Sequence, residues 1–99
     1  MEFTGQIYKI IVKGHDEVVY VDCTGIDLKT EWHIIKSLYR DYKEDTKGPK
    51  ITSKAFKLFD KYGLENCQMK LVKRYEVSSS EHLFIYRDLW VKKLNAINK

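Results

Sequence analysis

The sequence predicts an α/β fold of the α+β kind: a three-stranded antiparallel sheet flanked by helices, ordered β-β-α-α-β-α, in one domain spanning residues 1–99. Three observations predict it. Two β-branched and aromatic runs flank a short glycine-containing turn, a third such run stands alone late in the chain, and the remaining segments repeat apolar residues at three- and four-residue spacing. A single proline and five glycines leave little for a long linker, and 43% hydrophobic residues, with 13% aromatic, suffice for one modest core.

The first strand is expected over residues 3–12. Ile7, Ile10, Ile11 and Val12 make it the least charged of the three, so it should be paired on both edges. Lys13-Gly14-His15-Asp16 supplies a turn, and Val18-Val19-Tyr20-Val21 resumes the pattern as a second strand over 18–22. Asp27 is the expected N-cap of a helix of about four turns, with Glu31 a turn later and Leu28, Trp32, Ile35, Leu38, Tyr39 and Tyr42 along its apolar face. The polar stretch 44–50, with Gly48-Pro49, breaks that helix. Ser53 then caps a shorter one that carries Ala55, Phe56, Phe59 and Tyr62 and stops at Gly63. Cys67, Met69, Leu71, Val72 and Tyr75 read as the third strand over 67–75, with Lys70, Lys73 and Arg74 on its wetter side or end. Ser78-Ser79-Ser80-Glu81 starts the last helix, whose buried stripe is Leu83, Tyr86, Trp90, Val91 and Leu94. Helices must cover at least one face of so small a sheet.

Eighteen Lys and Arg against fourteen Asp and Glu give a net charge of +4. The excess favours polyanionic partners without requiring them. Basic residues cluster over 43–57 and at Lys92, Lys93 and Lys99, a pattern that ordinary solvated helix faces also produce. No apolar run approaches the roughly 20 residues that span a bilayer, and the start Met1-Glu2-Phe3-Thr4-Gly5 lacks a signal-peptide core; an intracellular chain without membrane contact is expected. Cys23 and Cys67 lack CxxC or Cys/His spacing and are expected to be reduced thiols. His15, His33 and His82 show no metal-pair spacing. Trp32, Tyr39, Tyr42, Phe56 and Phe59 have the rings to stack on bases, but their helical spacing is that of a core.

Gly5-Gln6-Ile7-Tyr8-Lys9-Ile10, followed by Val19-Tyr20-Val21 and Thr24, resembles the paired tyrosine motifs of the GIY-YIG nuclease superfamily. Leu28-Lys29-Thr30-Glu31-Trp32, the Ser53 to Gly63 stretch ending Phe-Asp-Lys-Tyr-Gly, and Trp90 to Lys99 resemble the motifs that follow in its short stand-alone members from large DNA viruses and mobile elements. The resemblance implies a phosphodiesterase site in which Tyr8 orients the nucleophile and Tyr20 supports it. A first-helix arginine would clamp the phosphate, and a last-helix glutamate would hold one divalent metal.

The departures fall on that chemistry. Asp22 replaces a glycine of the second motif, Glu31 stands at the arginine position, Ile35 at a histidine position and Arg87 at the metal-binding glutamate. Arginine has no lone pair to offer a metal. Glu31 and Arg87 form a charge swap, to be read either as an ion pair across one cleft or as two separate exposed charges. Asp88, beside Arg87, is the rival metal-ligand position, although the helical stripe puts Arg87 nearer the sheet.

The expected function is a catalytically inactive GIY-YIG-like domain that binds nucleic acid or acts in regulation or interaction, with DNA, a protein or itself as partner and no cofactor. Lys9, Lys29, Lys36, Arg40, Lys54 and Lys92 are the expected nucleic-acid contacts. One alternative is a magnesium-dependent endonuclease using relocated carboxylates such as Asp22, Glu31 or Asp88. Another is a homodimeric interaction module with no nucleic-acid role.

Overall fold

The computed structural model describes residues 2–44 and 54–98. Its elements are β1 (Phe3–Val12), β2 (His15–Thr24), α1 (Leu28–Glu44), α2 (Lys54–Tyr62), a 3-10 turn (Leu64–Asn66), β3 (Cys67–Val77) and α3 (Ser80–Lys93). The predicted cap Ser53 and the break at Gly48-Pro49 lie outside the described residues.

β1 is central, as its composition predicts: the sheet order is β2-β1-β3 and both pairings are antiparallel. Both faces of β1 are buried. Ile7 points to one side, while Tyr8, Ile10 and Val12 point to the other, all within 3% of full burial. The turn is tighter than predicted. Only Lys13 and Gly14 form it, Gly14 at φ 81°, and His15 and Asp16 already belong to β2.

Helices cover both faces of the sheet. On the first, Tyr8, Ile10, Val12 and Tyr20 meet Phe56, Leu58 and Phe59 of α2, and Leu28, Trp32, Ile35, Tyr39 and Tyr42 of α1 pack around them. The Trp32 and Tyr39 rings meet Phe59 edge-on at 5.9 and 5.1 Å. On the second face, Ile7, Val21 and Val77 meet Leu83 and Val91 of α3, with Tyr75, Tyr86, Trp90 and Leu94 at the margin.

Local chemistry sets the ends of these elements. Asp27 accepts from the Lys29 and Thr30 amides at 3.2 and 3.1 Å, capping α1. Ser79 does the same for α3 through the His82 amide, at 3.2 Å. α3 ends with Asn95 in the left-handed region at φ 52°, and the Ala96 amide reaches back to the Val91 carbonyl at 2.9 Å. This reversal throws the tail onto the outer edge of β2. There the Ile97 amide donates to the Val19 carbonyl at 2.8 Å, and the Asn98 carboxamide clamps Val21, accepting from its N–H at 3.1 Å and donating to its C=O at 2.6 Å.

Candidate functional site

The antiparallel register of the hairpin sets Tyr8 opposite Asp22 and Ile10 opposite Tyr20, so both tyrosines and Asp22 face the α1 side of the sheet. The first two turns of α1 bring Glu31 and Ile35 over them. Tyr8, Tyr20, Asp22, Glu31, Ile35, Leu38, Ala55 and Phe56 line one cavity of about 200 Å³. Tyr8, Tyr20, Asp22, Glu31 and Ile35, five of the residues singled out from sequence, therefore meet in one place, and Arg87 stands close by.

The side chains are held in a defined order. Tyr20 donates its hydroxyl proton to Asp22 Oδ2 at 2.9 Å, and Asp22 Oδ1 accepts from the Cys23 amide at 2.8 Å. Glu31 accepts from Thr24 Oγ1 at 3.0 Å, while Thr24 Oγ1 accepts from the Ile26 amide at 3.2 Å. Gln6, itself buried, donates to the Ile26 carbonyl at 2.5 Å and fixes the loop that carries Glu31 onto α1.

Arg87 pairs with carboxylates other than Glu31. Its guanidinium lies 3.9 Å from Asp22 and 3.1 Å from Asp88, so the ion pair across the cleft joins α3 to the hairpin instead of to α1. Arg87 is also the more enclosed of the two neighbours, its side chain 31% exposed against 65% for Asp88. The Asp88 hydrogen bond and the Asp88 and Asp22 charges hold the guanidinium pKa above its ordinary value against an opposing effect of burial.

Electrostatically the cavity is an acidic site with two phenols. Burial, reinforced by Asp22, Tyr20 and Glu31, pushes the Tyr8 phenol far above the usual tyrosine range. Tyr8 is thus a hydrogen-bond donor and not a base near neutral pH. Burial likewise raises the Cys23 thiol to about 11, with Asp22 adding to it. No group of three or more His, Cys, Asp or Glu side chains suited to a metal ion occurs among the described residues.

Comparison with known protein families, curated proteins and solved structures finds no match. The candidate site therefore rests on its own residues and geometry.

The predicted nucleic-acid contacts are divided by the sheet. Lys29, Lys36 and Arg40 are carried by α1 and Lys54 by α2, whereas Lys9 follows Ile7 onto the α3 side and Lys92 closes α3. They do not form one surface. No helix among the described residues is long and apolar enough to cross a membrane.

Sequence reading missed the Arg87–Asp22 and Thr24–Glu31 contacts. The Asp22 position carried only a weak signal, since the register set by the two-residue turn shifts between Ile11 and Val12 before it reaches Tyr8 and Asp22. The direction of Arg87 had none, because it depends on how α3 docks.

Proposed function

We propose that this chain is a GIY-YIG-like domain that binds nucleic acid without cutting it. One observation carries the reading: Arg87, at the position where the resemblance implies a metal-binding glutamate, is paired with Asp22 beside the Tyr8–Tyr20 cavity. A divalent ion does not fit there. Arginine has no acceptor lone pair, and its positive charge already occupies the neighbourhood of the nearest carboxylate. The phosphate-clamp position is reversed as well. Asp22 and Glu31 present negative charge where a phosphodiester would enter, a repulsion of about 1 kcal/mol per contact in water and about 4 kcal/mol at the effective dielectric of a protein surface. The net charge of +4 supports the binding half of the reading.

A metal-dependent nuclease is favoured by one feature: Asp22 and Glu31 line the same cavity as both tyrosines. Against it stand the ties of Asp22 to Arg87 and Tyr20 and of Glu31 to Thr24. A cleavage assay on single- and double-stranded DNA with magnesium or manganese separates the two. We expect no cutting by the wild type. Metal-dependent cutting that disappears in Tyr8→Phe would overturn the proposal and establish the relocated site.

A further inference from the structure

We infer that the nucleic acid is single-stranded and lies on the α3–β3 side of the sheet, away from the Tyr8 cavity. This rests on the reading that the domain binds nucleic acid. Lys9 and Lys70 are directly opposed across β1 and β3, and Lys73 faces the same side opposite Ile7. Like charges set opposite each other destabilise a sheet until a counter-charge arrives.

The lysines continue into a row of rings. The Lys73 ammonium lies 5.4 Å from the centre of the Tyr75 ring, Tyr75 accepts a 2.9 Å hydrogen bond from the Trp90 indole, and the Lys93 ammonium lies 4.8 Å from the Trp90 ring. Tyr86 stacks on Tyr75 at 3.8 Å and 6°. All of these rings are half-buried, each with one part at the surface.

The carboxylates of the two elements are turned elsewhere. Glu76 accepts from Thr4 on the opposite sheet face, Asp88 holds Arg87, and Glu81, exposed, lies roughly 120–180° round α3 from Tyr86, Trp90 and Lys93. Among the described residues, the ion pairs are His15–Glu17, Lys43–Asp60 and those of Arg87. None involves this face.

Cations alternating with aromatic rings suit a phosphate backbone whose bases are free to stack, with an ammonium moving from ring to phosphate as a base takes its place. Duplex DNA hides its bases from such a row. An acidic peptide would use the cations but not the rings.

The test is fluorescence anisotropy with a labelled 15-nucleotide oligothymidine, a duplex of equal length and polyglutamate. The wild type is expected to bind the oligothymidine most tightly. Lys70→Glu with Lys73→Glu should weaken binding at least tenfold and lower the salt slope by roughly 1.4, the single-strand value for two phosphate contacts. Lys57→Glu with Lys61→Glu, an equal charge change on α2, should alter it less than twofold. In a Trp32→Phe background, where Trp90 is the remaining tryptophan of the two, binding should quench tryptophan emission. Circular dichroism confirms that each variant is folded.

Retained affinity in the Lys70/Lys73 variant, an equal loss in the α2 variant, or preference for duplex or polyglutamate overturns the inference. If oligothymidine still binds in the first of these cases, nucleic-acid binding itself survives. Absence of binding to any nucleic acid at low salt removes both.

Discussion

Gly5 is where a single hydrogen atom decides how closely α3 can approach the sheet. A methyl group there would stand 2.5 and 2.8 Å from the two Leu83 methyls, and Leu83 is 3% exposed. Overpacking of this kind costs about 1–3 kcal/mol. Gly5→Ala should therefore lower the urea midpoint, and Leu83→Ala added to it should cost less than the sum of the two single changes. Strict additivity would show that the contact does not limit the packing. Gly5 was legible in sequence only as part of a motif, because closeness to Leu83 depends on a partner 78 positions later in the chain. Tyr8 and Tyr20 were legible as a pair only through the tyrosine motifs they resemble, because the register shift between Ile11 and Val12, which brings them to one face, has no signal in the sequence. The Arg87 contact was not, since an arginine on a helix has several carboxylates within reach and only the docked helix selects among them.

At the scale of elements, α1 and α2 are joined at their surface by a three-residue link. Tyr39 donates its hydroxyl proton to Asp60 Oδ1 at 2.6 Å, and the Lys43 ammonium reaches the same oxygen at 3.2 Å. The Tyr39 hydrogen bond, followed by the Lys43 charge, holds the Asp60 carboxyl below its usual 3.8, while slight desolvation opposes the shift. A lowered carboxylate value means that the link stabilises the fold fully above the unfolded pKa near 3.8 and is lost as the pH falls through the lower folded value. Carbon-detected NMR titration should place the Asp60 midpoint below 3.8, and Tyr39→Phe should raise it. An unchanged midpoint would assign the shift to Lys43 alone. The helices themselves were readable in sequence because Asp27 and the spacing of Trp32, Ile35, Tyr39 and Tyr42 carry local signals. The buried stripe of α3 was readable as well: Leu83 and Val91 are buried and Tyr86, Trp90 and Leu94 pack beside them, as their spacing predicts, even though Phe84, Ile85 and Leu89 leave further apolar residues exposed on the same helix.

For the whole molecule, the decisive contacts join segments far apart in the chain. β1 is completed by β3, whose last residue, Val77, pairs with Phe3, and β2 is completed by the tail through Ile97 and Asn98. A chain shortened by residues 97–99 should lose about 1–3 kcal/mol, as expected for three backbone-edge hydrogen bonds, measured by urea unfolding. No shift in midpoint would mean that water replaces the clamp without loss. An isolated asparagine has no periodicity to announce such a role, which is why the sequence did not reveal it. The clamp also bears on how the protein is born. During synthesis the hairpin emerges before β3, but a lone hairpin is marginal in water, and its central strand waits for residues 67–77 to supply a second neighbour. The outer edge of β2 waits until residue 98. Residues up to 77 must therefore leave the ribosome before the free edge of β1 is fully closed, and residues up to 98 before that of β2, so the nascent polypeptide passes through a long interval in which unpaired strands invite a chaperone.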